Sequence, residues 1–124
     1  MSSARQAALN AIKVGDVICG VSGSGQEKLL LVYEAGERTF LARHVTSQTW
    51  AEFGRDGEAL PIPEGGTCTM ISTAKLPPRE YQVAIGLDRK ARTAKELSDA
   101  RLTKDELQLL RTYRDFFRTH PLPD

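Results

Sequence analysis

A proline pair divides this chain into two regimes. Before Pro77-Pro78 the apolar residues fall in short β-like runs separated by turn signals; after it they recur with a helical period. Proline has a fixed φ and no amide hydrogen, so the pair stops a strand and pre-sets a helix start. Strands and helices are therefore segregated along the sequence, which is the pattern of an α+β fold.

The first regime opens with a short helix over 4–12, where Ala8, Leu9 and Ile12 share a face and Gly15 ends the element. Residues 16–75 read as about six strands. They are Asp16–Val21, Lys28–Glu34, Arg38–Thr46, Thr49–Phe53, Glu58–Ile62 and Thr67–Thr73. Lys28–Glu34 is apolar almost throughout, as a central strand covered on both faces would be. Arg55-Asp-Gly57 suits a type I′ hairpin turn, and Pro61 places Glu58–Ile62 at a sheet edge. Turn signals every ~8–12 residues indicate an antiparallel meander that curls on itself. The stretch is too short for a two-sheet sandwich of about 100 residues, so a small SH3-like β-barrel of five or six strands is expected. Tyr33 and Trp50 sit within these strands and are expected to pack in the core.

In the second regime Arg79–Arg92 places Tyr81, Ala84, Ile85 and Asp88 along one side. Thr93–Glu96 and Thr103–Glu106 both match the Thr-x-x-Glu capping box. They predict a short helix over 94–100 and a longer one over 104–119, stopped by Pro121. At about 100° per residue the last helix gathers Leu109, Leu110, Tyr113, Phe116 and Phe117 within an arc of about 120°. That arc is a docking face.

With 124 residues, 40% of them hydrophobic and 27% charged, the chain reads as one globular domain over 1–124. The barrel would span 14–75 and the helical part 77–119. A net charge of +1 supplies no global field of the kind that marks nucleic-acid or membrane proteins. The longest apolar run, Leu29–Tyr33, is far below the ~18 residues of a bilayer span. Without a signal-like N-terminus a cytoplasmic location is expected. Cys19 and Cys68 have no metal-ligand spacing and are expected as buried free thiols; no metal or cofactor is expected.

Candidate chemistry is sparse. His44 and His120 are the two histidines, and neither accompanies a nucleophile elbow. The Gly20–Gly25 segment, with Gly23 and Gly25, resembles a phosphate-cradling loop. A strand follows it, however, and not the helix whose N-terminal amides would bind the anion. Residues 1–76 carry net −1 and residues 77–124 net +2. Arg89, Lys90, Arg92 and Lys95 form an acid-free cationic run. Lys104, Arg111, Arg114 and Arg118 fall within about 80° of helical arc. Such a stripe suits phosphate neutralisation.

The order of segments also resembles a known family. Val14–Val17, Gly23–Gln26, Leu29–Tyr33, Arg38–Val45 followed by Thr46–Thr49, Arg55–Gly57, and Asp105–Leu110 are arranged as in the MazF/PemK toxin endoribonucleases. The resemblance implies an SH3-like barrel with appended helices and RNA cleavage at a homodimer surface. The family's catalytic arginine, just before the second apolar strand, is absent; Lys28 holds that position. Its Ser/Thr after the third strand corresponds to Thr46 or Ser47, with His44 beside them. Lysine does not reproduce the planar fork that guanidinium offers a phosphate.

With no convergent catalytic set in the sequence, a non-catalytic binding module for a protein or RNA partner is expected, with the basic C-terminal helices as contact surface. A metal-independent ribonuclease using Lys28, His44, Thr46 and Ser47, and a structural or homodimeric subunit, are the alternatives.

Overall fold

The computed structural model describes residues 4–22, 25–60, 68–93 and 102–123. In chain order the elements are α1 (Ala4–Asn10), β1 (Val17–Ser22), β2 (Glu27–Ala35), β3 (Thr39–His44), β4 (Trp50–Gly54), β5 (Cys68–Ser72), α2 (Pro78–Thr93) and α3 (Lys104–Arg118). The five strands form one antiparallel sheet in the order β4-β3-β2-β1-β5, as expected of an α+β barrel-like fold. β2 is central, and Leu29 and Leu30 on it are buried on opposite faces.

The sheet curls into a half-barrel whose two edges meet through Gly57–Leu60. The Gly54 amide donates to Glu58 and the Leu60 amide to Glu52, tying this segment to β4. The Ala59 amide donates to Cys68, and the Met70 amide to Gly57, tying it to β5. Glu58 and Ala59 thus join two strands, correcting the expected edge strand over Glu58–Ile62; Pro61 and Ile62 lie outside the described residues. The turn before them also departs from expectation. Gly57 has φ +89°, while Arg55 and Asp56 do not have positive φ. A type I′ turn needs positive φ at both central residues, so this is the three-residue hairpin with a left-handed glycine at its end.

Two apolar clusters hold the fold, one on each face of the sheet. Inside the curl lie Ile18, Leu30, Val32, Phe40, Phe53 and Met70, closed by Leu9 and Ile12 at and just beyond α1. Arg55 locks that closure. Its guanidinium donates to the carbonyls of Leu9 (2.8 Å), Ile12 (3.1 Å) and Gly36 (2.7 and 3.1 Å) and lies over the Phe40 ring. On the outer face Val17, Cys19, Leu29 and Val45 meet Ala84 and Leu87 of α2 and Leu109, Tyr113 and Phe117 of α3. The predicted docking face of the last helix is the one buried. On α2 the buried positions are Ala84, Leu87, Asp88 and Ala91, so Leu87 replaces the expected Ile85 in the fully buried stripe.

The α3 capping box forms as read. The Thr103 hydroxyl accepts the Glu106 amide at 3.1 Å, and Glu106 accepts the Thr103 amide at 2.8 Å. The helix expected over 94–100 lies outside the described residues. Cys19 and Cys68 are free and buried, in different clusters on opposite faces. No helix among the described residues is long and apolar enough to cross a membrane.

Candidate functional site

The outer face of the sheet is only partly covered by α2 and α3. The uncovered part carries Tyr33 at the end of β2 and Trp50 at the start of β4, 50% and 44% exposed. This overturns the expectation that both rings pack in the core. Leu31, Arg43 and Trp50 form one row across the sheet, and a register shift after Val32 brings Tyr33 alongside. The rings meet edge to face, with centroids 5.2 Å apart and planes at 80°. The Arg43 guanidinium lies 5.3 Å from the Tyr33 centroid and 5.2 Å from that of Trp50. A cation held against both rings fixes their positions.

Arg43 is itself fixed from behind. Its Nε and Nη2 donate to the two carboxylate oxygens of Asp88 on α2, at 3.1 and 2.9 Å. Asp88 also accepts from Gln48 Nε2 at 3.1 Å and is paired with Arg92 Nε at 3.3 Å. Gln48 adopts φ +61°, a conformation rare outside glycine and asparagine, and donates to the Val45 carbonyl at 2.7 Å. The His44–Gln48 turn is thus held onto α2. Neither Arg43 nor Gln48 was among the sequence candidates. The one available signal was Asp88, an acid on the side of α2 that also carries Ala84.

The same turn assembles His44, Thr46 and Ser47, three of the four residues singled out for cleavage chemistry; the fourth, Lys28, lies on β2. His44 Nδ1 is 2.7 Å from Ser47 Oγ, and His44 Nε2 is 3.2 Å from Thr46 Oγ1. Ser47 Oγ is 2.8 Å from Thr49 Oγ1, and Thr49 leads directly into Trp50. Burial, and secondarily the ammonium of Lys28, lower the His44 pKa to about 4. Its imidazole is therefore neutral near pH 7, able to accept a proton through one nitrogen while donating through the other.

Three residues of the expected basic surface on the C-terminal helices are committed to internal ion pairs. Lys90 binds Glu106 at 2.5 Å, Arg92 binds Asp88, and Arg118 binds Glu27 at 2.5 Å. Burial alone would raise the Glu106 carboxyl, but Lys90 and the Thr103 cap hold it below its ordinary value. Arg114 lies over the Tyr113 ring. Arg89, Lys104 and Arg111 are exposed and make no ion pair with the described residues. Lys95 and Gly23 lie outside those residues. Gly25 has φ +87° in the turn joining β1 to β2, where the Gly25 amide donates to Ser22. No group of three or more His, Cys, Asp or Glu suited to a metal ion occurs among the described residues.

The chain matches no protein-family model, no curated protein and no solved structure.

Proposed function

We propose that the chain is a binding module for single-stranded RNA, with the Tyr33–Trp50 face as its contact surface. The observation that carries this reading is an exposed aromatic pair held on a buried, ion-paired arginine. Half-exposed tryptophan and tyrosine on a fixed sheet are platforms on which bases stack, at about 1–3 kcal/mol per base. The Ser47 and Thr49 hydroxyls near Trp50 suit sugar and phosphate oxygens, and Arg92, half exposed beside its partner Asp88, supplies positive charge. Most basic side chains of the helices are held in ion pairs or on a ring, so stacking leads and electrostatics follows. A shallow salt dependence results, since one or two phosphate contacts to a single strand give a log–log slope near −1.

Trp50 is the sole tryptophan, so its fluorescence reports on the surface directly. Mixed-sequence single-stranded RNA is expected to quench it saturably and to weaken modestly with salt. An unchanged spectrum together with no change in labelled-RNA anisotropy at low salt overturns the reading. Sedimentation of the same samples tests whether the binding species is a homodimer.

The His44 cluster favours cleavage as a second reading. A neutral imidazole bonded to hydroxyls can orient a ribose 2′-hydroxyl, but with its pKa lowered to about 4 it is a weak base, so this reading leans on Lys28 offsetting charge developing on the phosphate. RNA left intact over long incubation, or cleavage unchanged in both Lys28→Ala and His44→Gln, removes it.

A further inference from the structure

A cleft of about 350 Å³ lies between the turn leading into β1, the segment after β5 and the first turn of α2. Its apolar lining includes Val14, Val17, Leu76 and Tyr81. Val17 and Leu76 are buried behind it, whereas Val14 is 61% exposed, an apolar side chain that the fold leaves open. The polar backbone of the wall is already engaged. Tyr81 Oη donates to the Gly15 carbonyl at 2.7 Å, the Gly15 amide to Val32 and the Asp16 amide to Lys13.

Two cations line the same cleft. Lys13 and Lys75 are exposed, and neither forms an ion pair with any described residue. The one acid in the lining, Asp16, accepts the Lys13 backbone amide at 3.0 Å through Oδ2 and so serves the turn. An apolar wall beside two unpaired ammonium groups is complementary to a hydrocarbon that ends in an anion. The cleft also falls within the ~300–1,000 Å³ range of small-molecule sites.

We propose that this cleft binds a small amphipathic monocarboxylate. Its hydrocarbon lies against Val14, Val17 and Leu76, and its carboxylate is met by Lys13 and Lys75. The site uses none of the residues of the Tyr33–Trp50 face, so the two readings stand or fall separately.

The test is an NMR titration of the full chain with decanoate below its micelle concentration, against decanol as the uncharged probe. Saturable amide shifts confined to Val14, Asp16, Thr73, Lys75 and Leu76 are expected, with decanoate tighter than decanol. Lys13→Gln and Lys75→Gln should each weaken decanoate about two- to fivefold, the scale of one exposed ion pair. Decanol should be unaffected by them. Val14→Asp should abolish decanoate binding, and all three substitutions fall at exposed positions, leaving the thermal midpoint in place. Shifts scattered over the surface, equal affinity for decanoate and decanol, or saturable binding of an acidic peptide but not of decanoate overturns the proposal.

Discussion

Arg43 and Asp88, 45 residues apart in sequence, meet as a bidentate ion pair in the buried seam between β3 and α2. Their side chains are 7% and 2% exposed. Ionised groups lose several kcal/mol each on leaving water, and a single attraction does not always offset that. Here the Asp88 carboxylate receives Arg43 twice, Gln48 and Arg92, which uses about all of its acceptor capacity. The pair fixes helix to sheet at one register, and the free face of Arg43 is where the aromatic rings rest.

Removing one partner should therefore cost far more than removing both. Asp88→Ala leaves a buried guanidinium unpaired and is expected to lower stability by about 3–5 kcal/mol. The double variant Arg43→Met/Asp88→Leu should recover most of that loss. Urea denaturation of the three proteins checks this; a cost below about 1 kcal/mol for Asp88→Ala would show that the seam is held elsewhere.

Trp50→Ala and Tyr33→Ala separate binding from folding. Both rings are half exposed, so each truncation should cost about 1 kcal/mol or less of stability, mainly the contact with Arg43. Anisotropy with labelled single-stranded RNA should nonetheless weaken by about tenfold or more in each, the loss of one stacked base. Unchanged affinity in both variants would detach RNA binding from this face.

Stability should fall on mild acidification because of His44. Its folded pKa of about 4 lies below the ordinary value of 6.5, so the unfolded chain takes up the proton first. Stability from this group is complete above pH 6.5 and is lost as pH falls from 6.5 toward 4, at most about 1.4 kcal/mol per unit. Denaturation midpoints between pH 7 and 4.5 should drop in the wild-type chain and drop less in His44→Gln.

Arg55→Ala should loosen α1. The guanidinium satisfies carbonyls of Leu9, Ile12 and Gly36 at once, and each charged hydrogen bond contributes about 1.5 kcal/mol or more. A loss of at least about 2 kcal/mol is expected, with faster hydrogen exchange over 4–12. Arg55→Lys should recover only part, since an ammonium has three donors and no planar fork.

Much of this fold is legible in the sequence. The docking face of α3 and its capping box depend on spacing within a few residues, and local spacing survives into the structure. The unbroken apolar run Leu29–Tyr33 identified a strand covered on both faces. Misreadings arose where the answer lay across the sheet. Nothing near Trp50 in sequence tells whether a helix covers it, because α2 and α3 arrive some 30 residues later or more. Whether the cations of the helices act as one basic surface was likewise not legible, because Arg118 pairs with Glu27, 91 residues away.

By itself, then, the order of residues determined the division into strands and helices, the docking face and cap of α3, and where the turns fall. All of these follow from steric and hydrophobic preferences acting over a few residues. Only the tertiary structure decided which charges are neutralised, which aromatics meet solvent and that Gly57–Leu60 joins the two sheet edges. Those outcomes depend on which distant surfaces come into contact, and a buried ion pair or an uncovered ring exists only once both sides are in place.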